Sequence, residues 1–181
     1  MALERRLTVD DLDGMRLPDR WELIDGVIVA VPWSGNRASR IGGRAYRALA
    51  DQGEDKGHGI AYPDDAGFVL FPDHRTVRGP DAAFVVKDRA VGLADPAFVP
   101  FAPDFVVEVL SPSDRLGEAL AKMGMYLDAG VRLAWLVHPE RQTVTVFTPD
   151  AAPVTLVPGA VLDGGDVLPW FSLPVADLFA D

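Results

Sequence analysis

Apolar positions along this chain repeat with two periods, and the changes between them divide it into elements. In TVDDL (8–12) a hydroxyl residue precedes a short turn of helix that it can cap. RWELIDGVIVAV (20–31) has two apolar runs around Asp25-Gly26, a dipeptide that tolerates positive backbone angles, and predicts a β-hairpin with a tight turn. From Asn36 to about Asp51 the period becomes helical. Ala38, Ile41, Ala45, Ala48 and Leu49 fall on one face, and Arg37, Arg40, Arg44 and Arg47 gather on the opposite one.

GFVLF (67–71) and DAAFVV (81–86) are strand-like runs bounded by Pro-Asp and Gly-Pro turn signals. DFVVEVL (104–110) is the most apolar of the three, as expected of a central strand covered on both faces. After Pro112 the period turns helical again. Ser113 or Asp114 can cap a helix with Leu116, Ala119, Leu120, Met123, Tyr126 and Leu127 on its apolar stripe and Ala129-Gly130 as its stop. VRLAWLV (131–137) and TVTVF (143–147) then predict a hairpin around Pro139-Glu140. This order of elements predicts an α/β fold, a mixed central sheet flanked by helices with an added N-terminal hairpin.

Length and composition are consistent with that picture. One domain over 1–181 is expected, with 49% hydrophobic and 24% charged residues, ordinary for a soluble globular chain. The fifteen prolines and seventeen glycines are spread as turn punctuation, with no repeat and no linker. The absence of cysteine excludes disulfides and thiolate metal sites. MALERRLTVDDLDGM has no apolar segment behind its arginines, and no stretch reaches the ~20 apolar residues needed to span a bilayer, so the expected setting is cytoplasmic, with no membrane partner. A net charge of -10 opposes indiscriminate binding to polyanions but leaves room for a local basic face, for which the arginine stripe is the candidate. A solvated face paired with acids explains those four arginines equally well.

The chemistry starts from Glu108, a carboxylate in the middle of Phe105, Val106, Val107, Val109 and Leu110. A charge in a packed sheet costs several kcal/mol unless it is paired or holds a metal. Should GPDAAFVV pair beside this strand, Asp81 brings a second carboxylate toward it, and two close carboxylates stay ionised cheaply only around a divalent cation. Oxygen ligands of this kind suit Mg2+ or Mn2+. The bland alternatives are a turn residue at Asp81 and a hydrogen-bonded structural carboxylate at Glu108. His58, His74 and His138 have no ligand spacing, and no phosphate-binding glycine loop, dinucleotide fingerprint or nucleophile elbow is present.

GPDAAFVV, PDFVVEVLSPSDR, a lysine in the next helix, Y..AGV..AWLV, the preceding WELIDGVIV and the closing FSLPVADLF together resemble the Uma-two family of restriction-endonuclease-like proteins, part of the PD-(D/E)XK nuclease superfamily. The resemblance spans nearly the whole chain. It implies a Mg2+- or Mn2+-dependent endonuclease in which Asp81 and Glu108 bind the metal, the Val109 carbonyl completes the coordination and a lysine orients the attacking water. In the superfamily pattern that lysine stands two residues after the acid, where this chain has Leu110. The resemblance places its substitute on the following helix, where Lys122 is the one lysine, about 40° round from Tyr126 at the edge of the apolar stripe. Glu22 matches a family position that approaches the metal, although an exposed strand glutamate accounts for it too. SPSD (111–114) can touch a phosphate or cap a helix. Nucleic acid, DNA foremost, is the implied partner, and a homodimer the implied assembly. The rival functions are a catalytically inactive binding module on the same fold, which Leu110 favours, and a metal-dependent hydrolase of a small phosphodiester.

Overall fold

Phe105–Val109, the most apolar run, lies near the middle of a six-stranded sheet, where covering on both faces suits a sequence with almost no polar position. The computed structural model describes residues 6–93 and 98–180, so the first five residues of the N-terminal segment inspected for a leader lie outside it. A single 3-10 turn, Val9–Leu12, opens the described chain with a reciprocal cap between Thr8 and Asp11. Strands β1 (Trp21–Ile24) and β2 (Val27–Ala30) form the predicted hairpin, with Asp25 at φ 46 and Gly26 at φ 74. Helix α1 (Asn36–Leu49) buries Ala38, Ile41, Gly42, Ala45 and Leu49, and runs into a wider π turn at Ala50–Glu54.

Four strands follow: β3 (Gly59–Pro63), β4 (Phe68–Val69), β5 (Val77–Arg78) and β6 (Ala82–Val86). The short helix α2 (Lys87–Ala90) leads to β7, the central strand Phe105–Val109, then to α3 (Leu116–Asp128) and β8 (Leu133–His138). The chain closes with β9 (Thr143–Thr148), β10 (Ala151–Leu156), β11 (Val161–Gly164), β12 (Leu168–Pro174) and α4 (Val175–Phe179). The large sheet has the order β10-β9-β8-β7-β6-β3, and only β7 and β8 run parallel, with α3 as the crossover that a parallel pair requires. The fold is therefore the expected mixed α/β sheet flanked by helices.

Each face has its own core. On one, α1 and the C-terminal elements β12 and α4 cover Phe105, Val107 and Val109, and Trp135 stacks edge-on to Phe105 at 4.7 Å between ring centroids. On the other, α3 packs Met123 and Tyr126 against Val106, Leu110 and Leu136. This is the alternation expected of β7, with Glu108 on the α3 side.

The added N-terminal hairpin forms as expected, and β1 also pairs with β5, so that it joins a second sheet of order β2-β1-β5-β4. Two expectations need correction. GFVLF contributes only Phe68–Val69 to a ladder, in that second sheet: the hydrogen bond from the Leu70 N–H to the Thr76 carbonyl at 2.9 Å is its last rung, and the chain then turns, with the His74 N–H donating to the Phe71 carbonyl at 3.0 Å. Neither Ser113 nor Asp114 caps α3. Its N-cap is Arg115, and Asp114 instead accepts the Ser111 N–H at 2.7 Å, while Leu116 and Leu120 of the expected stripe stay 50% and 44% exposed.

Candidate active site

Two strand ladders aim the acidic residues at one place. Ala82 faces Val107 across the antiparallel β6–β7 pair, so the next step puts Asp81 opposite Glu108. Leu23 faces Val77 across β1–β5, so the same step puts Glu22 opposite Arg78. Both sets end at a cavity of about 460 Å3 that Glu22, Asp81, Glu108, Val109 and Lys122 line together. Helix α1 passes close behind: a methyl group at Gly42 would stand 3.2 Å from the Asp81 Cβ, so the glycine permits the approach.

Lys122 and Tyr126 sit one turn apart on α3 and therefore share a face. The Lys122 Nζ lies 2.7 Å from Glu108 Oε1 and 3.3 Å from Glu22 Oε1, and the Tyr126 hydroxyl donates to Glu108 Oε1 at 2.7 Å. Arg78 donates to Glu22 Oε2, and the Gly79 N–H reaches Glu22 Oε1 at 3.3 Å. The Val109 N–H donates to Asp81 Oδ2 at 2.6 Å. The partner that Glu108 required is thus a lysine and a tyrosine from the next helix.

Three carboxylates face two cations here, and the excess negative charge shows in their protonation. Burial, then the nearby Glu108, pushes the Asp81 carboxyl up to about 7, against the opposing pull of the Val109 N–H. Burial likewise raises Glu108, although Lys122 offsets part of the effect. For Glu22, burial would raise the pKa, but Lys122 and Arg78 outweigh it and hold the carboxyl below its usual range. For Lys122, burial would lower the pKa, but Glu108 and Glu22 outweigh it and raise it. Tyr126 is pushed well above its ordinary value by burial and by Glu108, so its hydroxyl stays a donor.

A divalent cation fits this arrangement. Asp81 Oδ1 and Glu108 Oε2 accept no hydrogen bond among the described residues, and both carboxyls border the same cavity. A cation between them would offset both the burial and the repulsion by Glu108 that raise the Asp81 pKa. Among the described residues no group of three His, Cys, Asp or Glu side chains could hold a metal, so water or substrate oxygens would fill the remaining positions, as is usual for Mg2+.

A family model described as "Uma2: Putative restriction endonuclease" matches residues 9–176. The chain belongs to the Uma2 family. A crystal structure from Anabaena variabilis ATCC 29413, described as "a putative nuclease belonging to DUF820", is similar to this Uma2 chain at TM-score 0.82 and 21% identity, with 96% of this chain and 97% of that one covered. At that identity the likeness speaks for the fold. No curated protein matches the chain. Among the described residues of this Uma2 protein, no helix is long and apolar enough to cross a membrane.

The predicted site residues therefore divide into two groups. Asp81, Glu108, Lys122, Glu22 and the Val109 backbone come together at one cavity. The arginine stripe does not join them: Arg37, Arg40 and Arg47 are exposed on the side of α1 turned from the sheet, and Arg44 donates to the Leu178 carbonyl at 3.1 Å. The exposed strand glutamate allowed for at position 22 is instead 8% exposed, in an ion pair with Arg78. Arg78, Tyr126 and Gly42 were not read from the sequence as site residues. Arg78 left no usable signal, because its strand, Val77–Arg78, is two residues long and the preceding DHR is polar.

Proposed function

We propose that this Uma2 protein is a metal-dependent nuclease that hydrolyses phosphodiester bonds in nucleic acid, with Asp81, Glu108 and Lys122 as its catalytic residues. One observation carries the reading. The Lys122 Nζ, delivered from α3, stands 2.7 Å from Glu108 Oε1, at the acid whose own strand has Leu110 where the superfamily pattern has lysine. An ammonium is thus beside the acid despite the loss of the usual position, which disfavours the inactive binding module.

Asp81 and Glu108 would hold Mg2+ or Mn2+ through the oxygens that accept no hydrogen bond, and the Val109 carbonyl would complete the coordination. Such an ion, when bound, supplies a Lewis acid for the phosphate and lowers the pKa of a coordinated water. Lys122 holds a positive charge where the phosphate must sit and can donate to the attacking water, steadying charge that grows on the phosphoryl oxygens. Glu22, itself held by Arg78, keeps that ammonium in place, and the Tyr126 hydroxyl donates to Glu108 Oε1, leaving Oε2 without a hydrogen bond among the described residues. Dimeric assembly belongs to the same proposal and can be read by light scattering.

The test is a cleavage assay on plasmid, linear duplex and single-stranded substrates with Mg2+ or Mn2+, comparing wild type with Asp81→Ala, Glu108→Gln and Lys122→Ala. Loss of cleavage in all three, with native circular dichroism, supports the reading. Undiminished cleavage by Glu108→Gln would assign the activity to another centre, and hydrolysis confined to small phosphodiesters would replace the nuclease with the small-substrate hydrolase.

A further inference from the structure

Trp33 stands 74% exposed at the lip of the cavity that holds Asp81, Glu108 and Lys122, in a chain that buries Trp135 to 1%. The ring is held rather than stray. The Arg20 guanidinium lies 5.3 Å from its centroid, and Arg20 is itself fixed by Asp64 at 2.8 Å and Asp65 at 2.9 Å. Pro32, directly before Trp33, restricts the backbone that carries it. With Arg20 on one face and so much of the side chain exposed, the other face of the indole is bare.

We infer that Trp33 is a stacking platform for one unpaired base, and that the site takes single-stranded nucleic acid in preference to duplex. The inference rests on the nuclease reading above and specifies its substrate class. A bare indole face can stack any nucleobase, but a base inside a duplex already has a neighbour on each side. The cavity is of the size that encloses a small ligand such as a nucleotide, not a double helix. Charge acts in the same direction. Beside Asp64 and Asp65, whose two charges share the one Arg20, Asp19 and Asp114 border the cavity of a protein with net charge -10, and a duplex brings one phosphate charge per ~1.7 Å of axis, twice the density of one of its strands. The acidic border therefore penalises the duplex more. Stacking on Trp33 gives a strand with free bases a compensating contact.

The test is fluorescence anisotropy with a fluorescein-labelled short oligothymidylate and a duplex of the same length, at low salt in EDTA, for wild type, Trp33→Ala and Trp33→Phe. Wild type binds the single strand more tightly than the duplex, Trp33→Ala weakens single-strand binding by about tenfold, and Trp33→Phe stays within about threefold of wild type. Duplex affinity does not change. Equal single-strand affinity in Trp33→Ala and wild type, an equal loss on both probes, or no wild-type binding to the single strand would overturn the inference. So would unchanged strand affinity in Trp33→Ala with loss of self-association in light scattering, which would make Trp33 a contact between copies. Because EDTA removes any need for turnover, failure of the nuclease reading shows separately, as absent cleavage with Mg2+ or Mn2+ whatever residue stands at position 33.

Discussion

Replacing Asp81 with asparagine should stabilise the metal-free protein at pH 8 while abolishing cleavage. The Asp81 carboxyl is pushed up to about 7 from 3.8, so between those values the folded chain holds a proton that the unfolded chain has released. Stability therefore falls as the pH rises, by about 1.4 kcal/mol per unit, until the folded carboxyl ionises near pH 7. Between pH 5 and pH 8 this amounts to two units of that slope, roughly 3 kcal/mol. Asparagine cannot ionise, and its carboxamide oxygen can still accept the Val109 N–H that Asp81 accepts at 2.6 Å. Urea denaturation of both proteins at pH 5 and pH 8 in EDTA measures the effect, because other titrating groups cancel in the difference between them. Wild type should lose roughly 3 kcal/mol more than Asp81→Asn over this interval, and saturating Mg2+ should restore wild type alone. Identical pH dependence in the two proteins would refute both the raised pKa and its cause. A residue that weakens its own fold is what a metal-binding or catalytic position is expected to look like.

Glu22→Gln leaves the buried Arg78 guanidinium without a carboxylate and should cost about 3 kcal/mol in urea denaturation, with cleavage reduced as Lys122 loses its second anchor. Since Glu22 is held below its usual pKa, its contribution is complete well above pH 4.5 and is lost as the pH falls below that value, so the variant should show a flatter acid limb of stability. Tyr126→Phe removes the hydroxyl from Glu108 and should cost about 1 kcal/mol. Because that hydrogen bond lowers the Glu108 pKa, the acid limb of the pH–rate profile should move to higher pH, and an unmoved limb would show that the hydroxyl does not act on Glu108.

The sequence made parts of this molecule readable and hid others for identifiable reasons. Glu108 could be found because one charge in an apolar strand is conspicuous, and Asp81 because a two-residue period with a Gly-Pro stop fixes where β6 begins. The pairing of Glu22 with Arg78 joins residues 56 positions apart through a two-residue strand, too short to leave a periodic signal. Tyr126 read as one more apolar position because its ring does belong to the core, and only the structure shows where the hydroxyl ends. Strands β10 and β12 escaped because Pro153, Pro169 and Pro174 argue against strands, yet β10 lies at a sheet edge and β12 in a two-stranded ribbon, where a missing N–H is tolerated. Helix α3 was placed well, but its cap was misassigned because Asp114 closes the SPSD loop on itself.

Isothermal calorimetry of Mg2+ and Mn2+ with wild type and Glu108→Gln addresses the joint claim on Asp81 and Glu108 most directly. Saturable heat in wild type is expected, with affinity rising toward pH 8 as the Asp81 proton is released on binding, and with that heat lost in Glu108→Gln. No heat from wild type with either ion, or equal binding by Glu108→Gln, would contradict the account.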